Sequence, residues 1–273
     1  MKLAASNIGW APEKLGRMLP ELHDRGVQGL VIAPTMVWPE APNVTAQQAD
    51  ELYQRVADAD LKVVGMQSLT YGLDHAALSG DQAAKTRLTE HLKRQAELGG
   101  RLGVQSLIFG SPGLRRGVNR GEAVEVFAEV AQAAADNGTK LCIEPLSGYG
   151  NEFVTTTVEG VRLVQDVREA SGSAQGFGLH LDGAAIAGQG KPNPHVDIMA
   201  SQLLVGIESF DASAPELQPL SLHPEVPHEE MASALRTAQF AGYVSLEMRE
   251  PTGAADPVAA YLHEVTVAHR LYV

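Results

Sequence analysis

Apolar residues along the chain fall into short runs, separated by longer stretches in which they recur every third or fourth position. The runs cover residues 2–8, 29–34, 61–67, 104–110, 140–144, 177–182, 203–210 and 243–248. Each is too short for a helix, and several are rich in Val, Ile or Leu, as strands buried on both faces are. The stretches between them predict helices. Residues 46–59 follow Thr45, with Gln48 three positions on, the pattern of a capping box. Residues 81–98 carry Leu88, Leu92 and Leu98 on one side and run into Gly99-Gly100, a helix stop. Residues 122–136 end at Asn137-Gly138, and 157–170, 229–239 and 257–271 complete the clearer set. A helix near 12–24 contains Pro20 and should be kinked or broken there. One near 194–201 is short.

Eight strands alternating with about eight helices, without a break in the rhythm, predict parallel strands joined by crossovers. The expected fold is α/β: a single (β/α)8 TIM barrel spanning residues 1–273. The rival, an open doubly wound sheet, prefers a Gly-rich phosphate loop after its first strand, and SNIGWAPEK is not one.

Three of the runs end on an acid: Glu144, Asp182 and Glu247. In a barrel the C-terminal ends of the strands converge on one face, so these carboxylates can share a pocket. Crowded carboxylates repel one another unless a cation joins them. One reading is a divalent metal held by oxygen donors, with Mn²⁺ or Mg²⁺ favoured and Zn²⁺ or Co²⁺ compatible. The other is three acids facing water or capping the next helix.

Composition narrows the function classes. The 273 residues are 44% hydrophobic and 20% charged, with nothing resembling a linker. A net charge of −12 works against nucleic acid or an anionic membrane as a partner, and says nothing against a small neutral ligand. The lone Cys142 sits inside an apolar run and reads as a small buried hydrophobe. With no disulfide framework, no export signal and no long apolar segment, a soluble cytoplasmic protein is expected. Assembly into a homo-oligomer is left open.

At the strand-end acids the chain resembles the sugar phosphate isomerase/epimerase family, the xylose-isomerase-like TIM barrels that include ketose 3-epimerases and an apurinic endonuclease branch. The pieces that carry the likeness are CIEP, FGLHLD and GYVSLEMR, with Ala33, Pro34, Thr35 and Trp38 after strand two, Gly110-Ser111-Pro112 after strand four, and YGNEFVTT after strand five. The family places a Glu, an Asp and a Glu at the ends of strands five, six and eight, matched by Glu144, Asp182 and Glu247. Its strand-seven His is replaced by Asp211 in FDASAPEL, with Glu208 as the alternative if the register slips. A His that many relatives carry three residues after the strand-six Asp is here Ala185.

The resemblance implies a metal held by Glu144, Asp182, Asp211 and Glu247, with Glu144 and Glu247 exchanging a proton on opposite faces of a small sugar through an enediolate. His180 lies two residues before Asp182, on the same inward face but one layer deeper, and suits a supporting role or that of a core histidine. Trp38, Gln67 and Tyr71 follow strands two and three, where contacts to a sugar are expected. Arg115 (with Arg116) and Arg249 are candidates for an anionic group, and His228, ahead of His223, for reaching the pocket from a loop. Three functions compete: a metal-dependent sugar isomerase or epimerase, a keto-sugar or keto-polyol lyase or dehydratase on the same scaffold, and a non-catalytic sugar-binding barrel. The endonuclease branch is disfavoured by the acidic balance and by the absence of extra histidines at strands two to four.

Overall fold

A computed structural model describes every residue except 149, 151, 191 and 192; Tyr149 and Asn151 of the YGNEFVTT segment thus lie outside the described residues. Eight strands form a closed, fully parallel barrel in which each pairs with the next and the last with the first. They are β1 (Lys2–Ser6), β2 (Val27–Ile32), β3 (Lys62–Met66), β4 (Ser106–Phe109), β5 (Lys140–Ile143), β6 (Phe177–Asp182), β7 (Ile207–Ser213) and β8 (Tyr243–Glu247). The helices are α1 (Leu15–His23), α2 (Ala46–Ala57), α3 (Gln82–Arg101), α4 (Arg120–Asp136), α5 (Thr157–Ser171), α6 (Gly183–Ala187), α7 (Pro194–Leu204), α8 (His228–Thr237) and α9 (Pro257–Tyr272). No helix among the described residues is long and apolar enough to cross a membrane.

The strands are apolar on the face turned to the helices. Leu107, Phe109, Leu141, Ile143, Leu179, Leu181, Phe210 and Leu246 join one continuous core with the helix faces. Phe127 of α4 is central to it, its ring 5.3 Å from those of both Phe109 and Phe177. The inward face alternates with this one and is mostly small or polar. Among the described residues only Ala4, Val31, Val64 and Ile108 form an apolar cluster there, with Tyr243 packed on it. At the N-terminal end of the barrel, Glu208 accepts a hydrogen bond from Lys140 Nζ at 2.6 Å. That places Glu208 at the opposite end from Asp182 and Glu247, so it is not the alternative to Asp211.

Several boundaries differ from the pattern-based expectation, each for a physical reason. The capping box of Thr45 and Gln48 forms as expected, and a second one joins Thr156 to Glu159. Helix α3 does not stop at Gly99-Gly100. Both glycines allow close packing instead: a Cβ on Gly99 would meet Leu107 at 2.8 Å and one on Gly100 the Asn137 carbonyl oxygen at 2.6 Å. Helix α1 passes through Pro20 unbroken, because its buried Leu15, Met18, Leu19 and Leu22 hold it to the barrel. The largest shift is at β7. Leu203 and Leu204 finish α7 rather than opening a strand, Gly206 turns the chain at a positive φ of 76°, and β7 extends to Ser213.

Phe127→Ala would leave a void between the rings of Phe109 and Phe177. It should destabilise the protein by roughly 3–5 kcal/mol in urea unfolding, with the midpoint lowered and the slope unchanged.

Candidate active site

Strand alternation sends Asp182 of β6, Asp211 of β7 and Glu247 of β8 into the barrel. Asp211 lies level with Asp182, and Ser213 with Glu247, in the strand register. One carboxylate oxygen from each of Asp182, Asp211 and Glu247 lies within 4.8 Å of the other two. Glu144, immediately after β5, stands outside this tightest group but in the same field. Its approach depends on Gly110, where a Cβ would sit 2.6 Å from Glu144 Oε2.

Two of the acids are aimed by hydrogen-bond donors. Asp182 caps α6: its Oδ1 accepts from the Ala185 N–H at 2.6 Å, and its Oδ2 accepts a short hydrogen bond from the Ser213 hydroxyl. Glu247 Oε1 accepts from Gln67 Nε2 at 2.6 Å, and Gln67 Oε1 accepts from the Ser6 hydroxyl at 3.0 Å. Asp211 has less support. Its Oδ2 lies 3.1 Å from His180 Nε2, while its Oδ1 is buried without a hydrogen-bond partner among the described residues. His180, on the layer beneath, is anchored through Nδ1, 2.8 Å from the Ser209 hydroxyl.

Burial and mutual repulsion govern ionisation here. All four carboxyls are held above their usual range, chiefly by burial. Asp211 is raised further by Asp182, and Glu247 by Asp211 and Asp182. For Glu144, His180 opposes the rise, while Asp182, Glu247 and Asp211 add to it. Hydrogen bonds from Ser213 and Ala185 pull Asp182 back toward the charged form. Several oxygen donors within a few ångströms, an orphaned Asp211 oxygen and carboxyls that resist ionising together suit a divalent cation. The residues present fit such an ion.

The other sequence candidates are placed less favourably for substrate. Arg115 is completely buried, and its terminal nitrogens donate to main-chain carbonyls: Nη1 to Glu144 at 2.6 Å and Val154 at 3.3 Å, Nη2 to Phe109 at 2.6 Å. Burial draws its pKa down to about 10, against the pull of Glu144. Its Nη1 and Nη2 tie together the chain ends of β4 and β5, while its Nε is buried without a hydrogen-bond partner among the described residues, so it acts as a structural clamp here. Arg116 Nε donates to the Gly150 carbonyl at 3.2 Å. Trp38 packs into the core beside the rim, whereas Tyr71 is 75% exposed. His228 is buried with Nδ1 2.7 Å from the Tyr272 hydroxyl, its ring packed against Gly183, the residue after Asp182, and burial lowers its pKa to about 4. His223 pairs with Glu225 at 2.7 Å. Arg249 is exposed and lines a separate cavity of about 650 Å³ between residues 216–222 and 249–254. Cys142 is buried and its thiol is pushed up by burial.

Sequence reasoning did not single out Ser6, Ser209 or Ser213. The available signal was alternation: Ser209 and Ser213 lie two residues either side of Asp211 and share its face.

Two outcomes follow from the electrostatics. Raised carboxyl pKa values mean that the metal-free native state binds more protons than the unfolded chain above the ordinary carboxylate range. This cluster's contribution to stability therefore falls as pH rises. Asp211→Asn removes one repelling charge and should raise the Tm of metal-free protein at pH 8 while changing it little at pH 4. Binding of Mn²⁺ should release protons and tighten between pH 5 and 8, read by calorimetry in buffers of different ionisation enthalpy. Zero net release would show that the four acids are already ionised.

The family model of the xylose isomerase-like TIM barrel matches residues 19–267. No curated protein matches the sequence. Among solved structures, a D-psicose 3-epimerase in the presence of D-fructose aligns with a TM-score of 0.80 at 19% identity, covering 99% of this chain and 97% of that one. An L-ribulose 3-epimerase aligns at 0.77 and 18%, covering 99% and 96%. The probable 3-DHS dehydratase from Bacillus anthracis aligns at 0.72 and 14%, covering 98% and 99%. At these identities the likeness is one of fold. The match to the family model spans most of the chain, and with the closed parallel barrel and its acid-lined mouth it shows that this protein belongs to the xylose isomerase-like TIM barrel family.

Proposed function

We propose that the protein is a divalent-metal-dependent isomerase or epimerase acting on a small sugar or sugar derivative. The observation that carries this reading is the convergence of Asp182, Asp211 and Glu247 within 4.8 Å, with Glu144 in the same electrostatic field. Membership of the family and fold-level likeness to two sugar 3-epimerases support the substrate class. Asp182, Asp211 and Glu247, with Glu144 beside them, are the residues proposed to hold the cation. A bound Mn²⁺ or Mg²⁺ would draw electron density from a substrate carbonyl and offset the charge of an enediolate.

Glu144 and Glu247 are proposed to move the proton. They stand on β5 and β8, three strands apart in a ring of eight, and so approach a substrate in the barrel mouth from different sides. A carboxyl poised above its ordinary range exchanges a proton near neutral pH more readily than a fully ionised one. Gln67 fixes the Glu247 carboxylate through its 2.6 Å hydrogen bond, which selects one rotamer for the transfer. Gly110 leaves space for Glu144. A lyase or dehydratase is the second reading, favoured by the likeness to the Bacillus anthracis dehydratase. The same loss of a proton beside a carbonyl then expels a β-hydroxyl instead of returning the proton to the other face.

The test is incubation of the Mn²⁺-loaded protein in D₂O with a panel of ketoses and keto-polyols, followed by NMR. Deuterium should enter the carbon beside the carbonyl with appearance of the epimer. Glu144→Gln and Glu247→Gln should each slow this by roughly 10²–10⁴-fold. Elimination of water in place of epimerisation would favour the lyase. Exchange that persists undiminished in both variants would remove the acid–base assignment.

A further inference from the structure

We propose that His180 is a metal ligand, its imidazole Nε2 adding a nitrogen donor to the acidic group formed by Asp182, Asp211 and Glu247. The proposal rests on the metal reading given under Proposed function and assigns one more donor of this chain to it.

The geometry begins with the strand register. Backbone pairing sets His180 beside Ser209 and Asp182 beside Asp211. His180 Nε2 nevertheless lies 3.1 Å from Asp211 Oδ2, one register step above its own level. The ring thus leans toward the barrel mouth and the acids, away from the Glu208–Lys140 pair at the other end. It is also anchored, since Nδ1 is 2.8 Å from the Ser209 hydroxyl. If the Nδ1–H donates to that oxygen, the Nε2 lone pair faces the acids. This is how a metal-binding histidine is ordinarily held, with its second nitrogen committed to a neighbour.

The contact with Asp211 does not work as a hydrogen bond. Despite the short separation, Nε2 has no aligned hydrogen-bond partner among the described residues, and neither has Asp211 Oδ1. The two residues are 0% and 2% exposed, so bulk water does not satisfy them. Two adjacent orphaned polar atoms are costly, about 1–3 kcal/mol each. Donors bound at about 2.1 Å and at right angles stand about 3.0 Å apart, close to the 3.1 Å between Nε2 and Asp211 Oδ2. A cation held by that oxygen is therefore within reach of Nε2, although His180, like Glu144, stands outside the group of acids drawn within 4.8 Å of one another.

A mixed nitrogen and oxygen donor set has a consequence for metal choice. Imidazole favours Mn²⁺, Co²⁺ or Zn²⁺ over Mg²⁺ or Ca²⁺ in the order set by ligand softness. His180→Gln should therefore weaken Co²⁺ more than Mg²⁺, whereas a merely structural role would weaken both alike or neither.

The deciding experiment is pulsed electron paramagnetic resonance of the intact protein loaded with one equivalent of Mn²⁺. The wild type should show the ¹⁴N modulation of a directly bound imidazole. His180→Gln should abolish it and weaken Mn²⁺ by at least about tenfold, while His228→Gln retains it. Wild-type protein grown with ¹⁵N-histidine should replace the ¹⁴N pattern with the ¹⁵N one, a measurement independent of how well any variant folds. Tightly bound Mn²⁺ without nitrogen coupling, or coupling that survives in His180→Gln, overturns the assignment and leaves the metal reading standing. Wild-type protein that fails to bind Mn²⁺, Co²⁺ or Mg²⁺ overturns both.

Discussion

Four carboxyl groups converge at the mouth of the barrel, and burial makes all of them harder to ionise. Burial raises Glu144, Asp182, Asp211 and Glu247 together, and their mutual repulsion compounds it for all but Asp182, where hydrogen bonds dominate the remainder. A fold that collects such groups is less stable for doing so, and tolerates the cost because the outer core is extensive. Protons relieve the strain in the metal-free state. The proposed divalent cation would relieve it more fully, since it would neutralise several acids at once and reach the Asp211 oxygen that has no hydrogen-bond partner among the described residues.

The barrel divides its labour between two faces of the same strands. Outward residues build the continuous apolar core with the helices, where Phe127 packs edge-on to Phe109 and tilted against Phe177. Inward residues at the mouth of the barrel can be small, polar or acidic because the continuous apolar core lies on the outward face, with a smaller apolar cluster of Ala4, Val31, Val64 and Ile108 inside. Support for the site then comes from neighbouring strands. Ser213 of β7 holds Asp182 of β6, Gln67 after β3 holds Glu247 of β8, and Ser6 of β1 holds Gln67. Arg115 contributes from outside the pocket by joining the carbonyls of Phe109, Glu144 and Val154, which fixes where the β5 acid emerges.

Much of this was legible in the chain, and the exceptions have identifiable causes. The apolar runs located all eight strands, and the acids closing three of them pointed to the pocket. The run LLVGIESF misled because Leu203 and Leu204 are 85% and 57% exposed helix residues, and one apolar string does not reveal where a helix gives way to a strand. Gly99-Gly100 looked like a stop because glycine is used both for ending helices and for close packing; only the nearness of Leu107 and Asn137 separates the two. Helix α6 escaped notice because its five residues are too few for periodicity, although its cap is Asp182 itself. Arg115 read as a candidate for an anionic group because sequence does not show that three carbonyls wait for it in a buried site.

The sequence by itself determined the strand and helix rhythm, the barrel class and the placing of Glu144, Asp182 and Glu247 at strand ends, because these depend on local periodicity and on chain order. Tertiary structure alone decided which side chains touch. Gln67 and Glu247 are 180 residues apart in the chain and 2.6 Å apart in space, a contact that exists only once the barrel closes. The lean of His180 toward Asp211, the unpaired oxygen beside it and the burial of Arg115 and His228 are likewise products of closure. Closure sets distances between strands that no local pattern encodes, and the character of this site lies in those distances.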